Sequence, residues 1–273
     1  MTSRQPGDGE EQTCRSKKWQ RAWLKSSFLW APVLYLAAYV LFVRLRALAN
    51  QTGVPVRFRY PIQIDHALFA GRDPTVVLQS WLHQTSHITL FDSLLVAVYA
   101  TYFFVPHLVA LYFWLRRDAR TVPYILAFFG TLYLGLIPIF LVPTAPPWLA
   151  SERGYLPPIT RLAPLAIDQI IPGSFGTGDR LAGPNPVAAM PSLHVAGICV
   201  VAFVLFGWDA PLGTILGALY ILAMGFALIY LGEHYLSDVV AGALLAGGSW
   251  YAAQRIQRHY WSAPSQPTAR GSE

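Results

Sequence analysis

The chain of 273 residues is 54% hydrophobic and 12% charged, with a formal net charge of +6 and a mean hydropathy of +0.40. Soluble chains carry about 25% charged residues, so half that density excludes an ordinary soluble domain and points to lipid as the solvent. The two cysteines, Cys14 in a polar tail and Cys199 in an apolar run, exclude a disulfide scaffold, and the basic residues are too scattered to form a nucleic-acid-binding face.

A spanning helix needs about 20 mainly apolar residues, because the hydrocarbon core is about 30 Å thick and a helix rises about 1.5 Å per residue. Six runs stand out in chain order: Phe28 to Val43, Ser93 to Leu115, Val122 to Val142, Leu193 to Trp208, Leu212 to Leu231 and Tyr235 to Ala253. The fourth is short and the sixth is the least apolar. The expected fold is all-α, a polytopic membrane protein with a six-transmembrane-helix bundle over residues 28–255. A polar cytoplasmic tail precedes it over 1–27, and a disordered tail follows over 256–273. The first tail is too long and too charged for a cleavable signal, so the first run reads as a signal anchor. Arg116, Arg117 and Arg120, with a modest excess of Lys and Arg on the side of the tails, put both termini in the cytoplasm; Arg44 and Arg46 oppose that orientation.

Two connections then lie on the extracytoplasmic face of the plasma or cytoplasmic membrane. From Arg57 to His87, residues such as Leu68, Phe69, Trp81 and Leu82 suit an interfacial helical segment. From Pro143 to Pro191 the chain is rich in Pro and Gly, and so long a connection is more often functional than idle. Gly213 with Gly217, and Ala243 with Gly247, have the small-xxx-small spacing expected where helices pack closely in lipid.

Ionisable groups at membrane depth are costly unless they are paired or used. His194 opens the fourth run, and His234 and Asp238 open the sixth. At spacing i, i+4 the carboxylate can accept from one imidazole nitrogen, fixing the tautomer and leaving the other nitrogen's lone pair aimed outward, as a histidine nucleophile requires. His194 meets that pair if the two helices are neighbours. Pro191 and Ser192 suit a helix start, where free N–H groups and the helix dipole favour a phosphoryl group. Two alternatives remain at this level: the three residues are structural hydrogen-bonding groups, or two imidazoles and a carboxylate ligate a metal.

Pro191-Ser-Leu-His194 followed by His234-xxx-Asp238 resembles the second and third signature motifs of the type 2 phosphatidic acid phosphatase superfamily. Asn185 to His194, Tyr230 to Asp238 and Pro143-Thr-Ala-Pro-Pro-Trp148 resemble more narrowly the branch related to inositol phosphorylceramide synthase. The resemblance covers roughly residues 60 to 255. It implies a six-helix fold with its site on the outer face and a lipid phosphate or phospholipid as substrate. It also implies His234 as the nucleophile forming a phosphohistidine, Asp238 as its orienting group and His194 as the general acid. The chemistry needs no cofactor and no metal. The chain departs from the superfamily at Ala227-Leu228, where a Ser-Arg pair is usual, at Leu193, where Gly is usual, and in lacking a clear first motif. Phosphoryl transfer needs cations around the equatorial oxygens, and Arg153, Arg161 and Arg180 are the substitutes in the third connection. The expected function is a lipid phosphatase or phosphotransferase, with phosphoinositol as the moved group if the narrower resemblance holds; a non-catalytic lipid-binding or transport protein on the same fold is the rival.

Overall fold

The computed structural model describes residues 30–83, 87–177, 185–207 and 210–261, and the chain divides into two units, Met1–Phe42 and Val43–Glu273. The expected N-terminal tail lies outside the described residues. The first unit holds the greater part of α1 (Trp30–Leu48), whose Trp30, Leu34 and Leu36 are more than half exposed. The helix continues past Val43, where the apolar run was expected to stop, and carries Arg44 and Arg46 on its last turns.

Among the described residues, the regular elements of the second unit are all helices, and two isolated parallel bridges tie Arg57 to Thr144 and Thr144 to Ala188. In chain order it contains α2 (Arg59–Leu68), α3 (Pro74–Leu82), α4 (Leu90–Ala100), α5 (Val105–Arg116), α6 (Thr121–Leu141), α7 (Pro147–Glu152), α8 (Leu162–Ile170), α9 (Leu193–Phe206), α10 (Ala210–Tyr230) and α11 (Leu236–Trp261). Where they are described, all six apolar runs are mainly helical, but they differ as candidate spans. By length and composition α1, α6 and α10 can each cross a membrane, and a fourth crossing results if α4 and α5 count as one bent span. That second run is broken at Phe104 with a bend of 41°, because Pro106 near the start of α5 offers no N–H to continue the ladder. With 14 residues, α9 is about 21 Å long, and α11 is long but only moderately apolar.

α9 is the central helix. Apolar residues run all round it and most are buried, as expected for a helix with neighbours on every side. It packs on α5, α6, α10 and α11, while α11 also lies along α6. Gly213 and Gly217 hold a close approach as expected: a Cβ on Gly213 would strike the Leu205 carbonyl, and one on Gly217 the Phe206 ring. The stripe on α11 is shifted by one residue from expectation. Gly242, Ala246, Ser249 and Ala253 are buried, whereas Gly247 faces open space. Spacings of four, three and four keep those residues on one helix face, which Ala243 and Gly247 do not share.

α6 and α10 end, and α4, α9 and α11 begin, at the same end of this unit. There α2, α3, α7 and α8 form a cap over the expected interfacial and third connecting segments. Ile62, Ala150, Leu156 and Tyr235 make its small core, with Phe58 and Ile159 packed against it. Beyond the cap, α11 continues to Trp261, so the tail expected to be disordered from 256 is helical over its first residues. Arg258 and His259 in the last turn complement the negative end of the helix dipole.

Candidate active site

α10 stops at a position that disfavours a side chain. Gly232, with φ of +79°, lets Glu233 N–H reach the Leu228 carbonyl at 3.0 Å and its own N–H reach that of Ile229 at 3.2 Å, the paired bonds that close a helix at glycine. Gln79 secures this end from α3, its amide donating to the carbonyls of Tyr230 and Thr160 at 2.8 Å each. The chain then turns directly into α11, and His234 sits in that turn.

Asp238, in the first turn of α11, is fully buried. Its Oδ2 accepts from the Tyr235 N–H at 2.9 Å and from His234 Nδ1 at 3.3 Å, and its Oδ1 has no hydrogen-bond partner among the described residues. The imidazole is thus a main compensation for a carboxylate removed from water. A second acid serves the same helix start from α2. Asp65, 1% exposed, accepts from the N–H groups of Leu236 and Ser237 at 2.8 Å each. Burial pushes its carboxyl above the usual carboxylate range against the pull of the hydrogen bonds from Ser237 and Leu236, and nearby Asp238 adds to the rise.

Ser192 caps α9, its hydroxyl accepting from the Val195 N–H at 3.4 Å. Both it and Pro191 are buried, and the Ser192 N–H donates to the Asp238 carbonyl at 3.0 Å. A Cβ on Gly242 would collide with the Ser192 carbonyl oxygen, so glycine there allows the starts of α9 and α11 to touch through their backbones. That contact brings His194 Nδ1 within 3.1 Å of His234 Nε2. Because Asp238 holds the Nδ1 proton of His234, the Nε2 lone pair is the one that faces His194. His234 is 5% exposed and His194 is partly exposed, so the pair opens on the His194 side. Tyr99, Tyr102 and Phe103 surround the His194 ring at centroid distances of 5.2, 4.4 and 5.8 Å.

The expected cations fare differently. Arg161 makes a two-pronged ion pair with Glu233, the neighbour of His234, at 2.8 and 3.1 Å, and lies over Trp148 at 4.2 Å and near Phe175 at 5.1 Å. Arg153 is exposed at the end of α7, and Arg180 lies outside the described residues. Sequence reasoning missed Arg46, whose charge acts electrostatically on His194 and whose carbonyl accepts from Asn185 Nδ2 at 2.7 Å. Its signal was present as a basic residue that opposes the charge bias expected for its end of the span. Asp65 and Gly242 were missed as well, the first for want of a visible partner and the second because the small-residue stripe was read one position off. Among the described residues, no three His, Cys, Asp or Glu side chains converge as a metal-ligand set.

The register of α11 has a direct test. Gly242→Ala is expected to part the two helix starts and lower turnover about 100-fold without unfolding the protein, since misplacement by about 1 Å can cost that much. Gly247→Ala, facing open space, is expected to leave turnover unchanged. Equal effects in a steady-state assay would contradict this packing.

A family model described as the PAP2 superfamily matches residues 62–252, from the first turn of α2 to the last third of α11, with His194, His234 and Asp238 inside the match. No curated protein and no solved structure is matched. A match over more than two thirds of the length, with the apolar helices described above, makes this chain an integral membrane protein that belongs to the PAP2 superfamily.

Proposed function

We propose that the protein transfers the phosphoryl or phosphodiester group of a lipid-linked phosphate ester through a phosphohistidine on His234. The carrying observation is the relay in which Asp238, His234 and His194 follow one another at 3.3 and 3.1 Å, with the nucleophilic lone pair directed at the acid. In the first step the His234 Nε2 lone pair attacks phosphorus and the bond to the lipid oxygen breaks. His194 gives its proton to that oxygen, because an alkoxide is a poor leaving group. In the second step an acceptor hydroxyl loses its proton to His194 and attacks phosphorus, and the bond to Nε2 breaks. A direct contact of 3.1 Å leaves no space for a phosphoryl group, so substrate binding parts the two imidazoles.

Charge on the equatorial oxygens has to be met by cations. Arg46 takes this role in our reading. Arg161, bound to Glu233 and covered by Trp148, braces the turn that carries His234, and the dipole at the start of α9, with Pro191 and Ser192, adds a favourable field. Arg153 and Arg180 are secondary candidates.

Acceptor choice turns on access of water to the intermediate. His234 is almost wholly buried and His194 is walled by three aromatic rings, which favours a lipid or polyol hydroxyl over water. Transfer of phosphoinositol, as in the narrower resemblance, is one such reaction, and hydrolysis is its limit when water enters. In the membrane, α1, the α4–α5 pair, α6, α9, α10 and α11 act as six passes, with both termini cytoplasmic and the cap and site extracytoplasmic. A lipid-binding or transport role without catalysis has no use for the aimed imidazole pair.

Product analysis by phosphorus NMR tests the reaction, using purified protein with phosphatidic acid, a polyprenyl diphosphate and phosphatidylinositol, alongside His234→Ala. A new phosphodiester or free phosphate made only by the unaltered protein is expected, whereas identical products from His234→Ala would sink the reading. Arg46→Ala is expected to lower kcat/KM about 10²- to 10³-fold, with Arg46→Lys restoring part of it. Unchanged kinetics in Arg46→Ala would remove that residue from the site.

A further inference from the structure

Asp65 places a charge where none is needed to close a helix. Tyr235 stands just before the first residue of α11, and Asp238 already takes the Tyr235 N–H. The N–H groups of Leu236 and Ser237 go instead to the two carboxylate oxygens of Asp65, at 2.8 Å each. A neutral Ser, Thr or Asn at the cap would meet such donors without a buried charge. Asp65 meets them at 1% exposure, from a position 171 residues before Leu236. Its placement follows from the packing of α2. Ile62 and Asp65, three residues apart, share the buried face of that helix, and Ile62 packs with Tyr235 in the core of the cap.

The field at this helix start bears on His234. α11 is 26 residues long, and the positive end of its dipole, about half a unit charge, follows His234 directly in the chain. A cation on His234 is disfavoured there, yet attack by Nε2 makes one. The Nε2–P bond forms, the bond to the lipid oxygen breaks, and that oxygen keeps the electron pair and takes the proton of His194. The ring, still holding its own proton at Nδ1, becomes positive. We infer that Asp65 is a positioning residue of this transfer: it holds the start of α11 against α2 and, with Asp238, turns the positive end of that helix into a field that favours the charged ring. The inference rests on the phosphoryl-transfer reading above and deepens it. Around the turn, Asp238 bonds to the ring itself, His194 faces Nε2 with Arg46 acting on it, and Glu233 is held by Arg161. Asp73 is paired with His66 at 2.8 Å where α2 turns into α3, the Tyr60 hydroxyl meets that of Thr144 at 2.5 Å, and the Tyr235 hydroxyl is buried in the cap. Asp65 is thus the acid that acts on the helix start without touching the ring.

Two measurements test this with full-length protein in lipid nanodiscs. The first reads the charge of the ring by NMR, with histidine labelled with carbon-13 at Cε1 and the His234 signal assigned through its loss in His234→Ala. Removing a negative charge disfavours the protonated ring, so its titration midpoint is expected to fall in Asp65→Asn by about half a pH unit or more. Asp65→Glu, which keeps the charge, is expected to restore the midpoint. Gln79→Ala loosens the other end of the same turn without removing a charge, and is expected to leave the midpoint where it was. An unmoved midpoint in Asp65→Asn, or an equal fall in Gln79→Ala, would overturn the inference. The second is turnover of phosphatidic acid as a function of pH. Asp65→Asn is expected to move the acid limb of kcat/KM to lower pH and to cut kcat about tenfold with KM within about twofold, because the lost interaction strengthens only as the ring becomes charged. A fall in kcat with an unmoved acid limb would reduce Asp65 to a structural cap and overturn the inference. A moved midpoint in a protein that makes no product from any substrate would sustain the hold of Asp65 on the ring's charge while rejecting the proposed reaction.

Discussion

A fully buried carboxylate at the start of a helix is the constraint on which this structure depends. Asp238 cannot be taken out of water without compensation close at hand, and its Oδ2 finds that compensation in one backbone N–H and one imidazole. The same demand explains much of the surrounding cap. Asp65 satisfies the next N–H groups of α11, Gly232 ends α10 so that His234 falls in the turn, and Gly242 admits α9 to backbone contact. Once α9 is that close, the position of His194 follows. The geometry of the imidazole pair is thus set mainly by backbone contacts between helix ends, which are stiffer than contacts between long side chains.

Membership of the PAP2 superfamily joins this geometry to a chemistry without settling the acceptor. In the proposed reaction one step loads histidine and another unloads it, and the same three side chains serve both. Selection between water and another hydroxyl then falls to the enclosure. In the proposed reaction Tyr99, Tyr102 and Phe103 do this work, and they stand just before the bend at Phe104.

The three residues that the structure brings together, His194, His234 and Asp238, were legible in the sequence because they are chemically conspicuous. Histidine and aspartate at the openings of apolar runs have few structural uses, and a spacing of four residues is sufficient to pair His234 with Asp238. Helical runs were legible for the same reason, although the break before Pro106 was read through as a continuous span and the end of α1 was drawn too early at Val43. Contacts between distant segments were not legible. Nothing local marks Asp65 as the partner of α11, 171 residues away, and nothing ties Arg46 to His194 except an arginine where the charge bias of loops disfavours one. Small-residue stripes illustrate the limit well: spacing identified that α11 packs through small side chains, but choosing between Ala243 with Gly247 and Gly242 with Ala246 requires the neighbour's position.

The central claim is that His234 becomes phosphorylated, and trapping the phosphoenzyme tests it most directly. Purified protein would be mixed with a lipid phosphate carrying radiolabelled phosphorus, quenched in alkali within one turnover, and mapped by peptide. The account predicts a label that survives alkali, is lost in acid and resides on the peptide containing His234. Turnover without such a label, or a label on another residue, would contradict it.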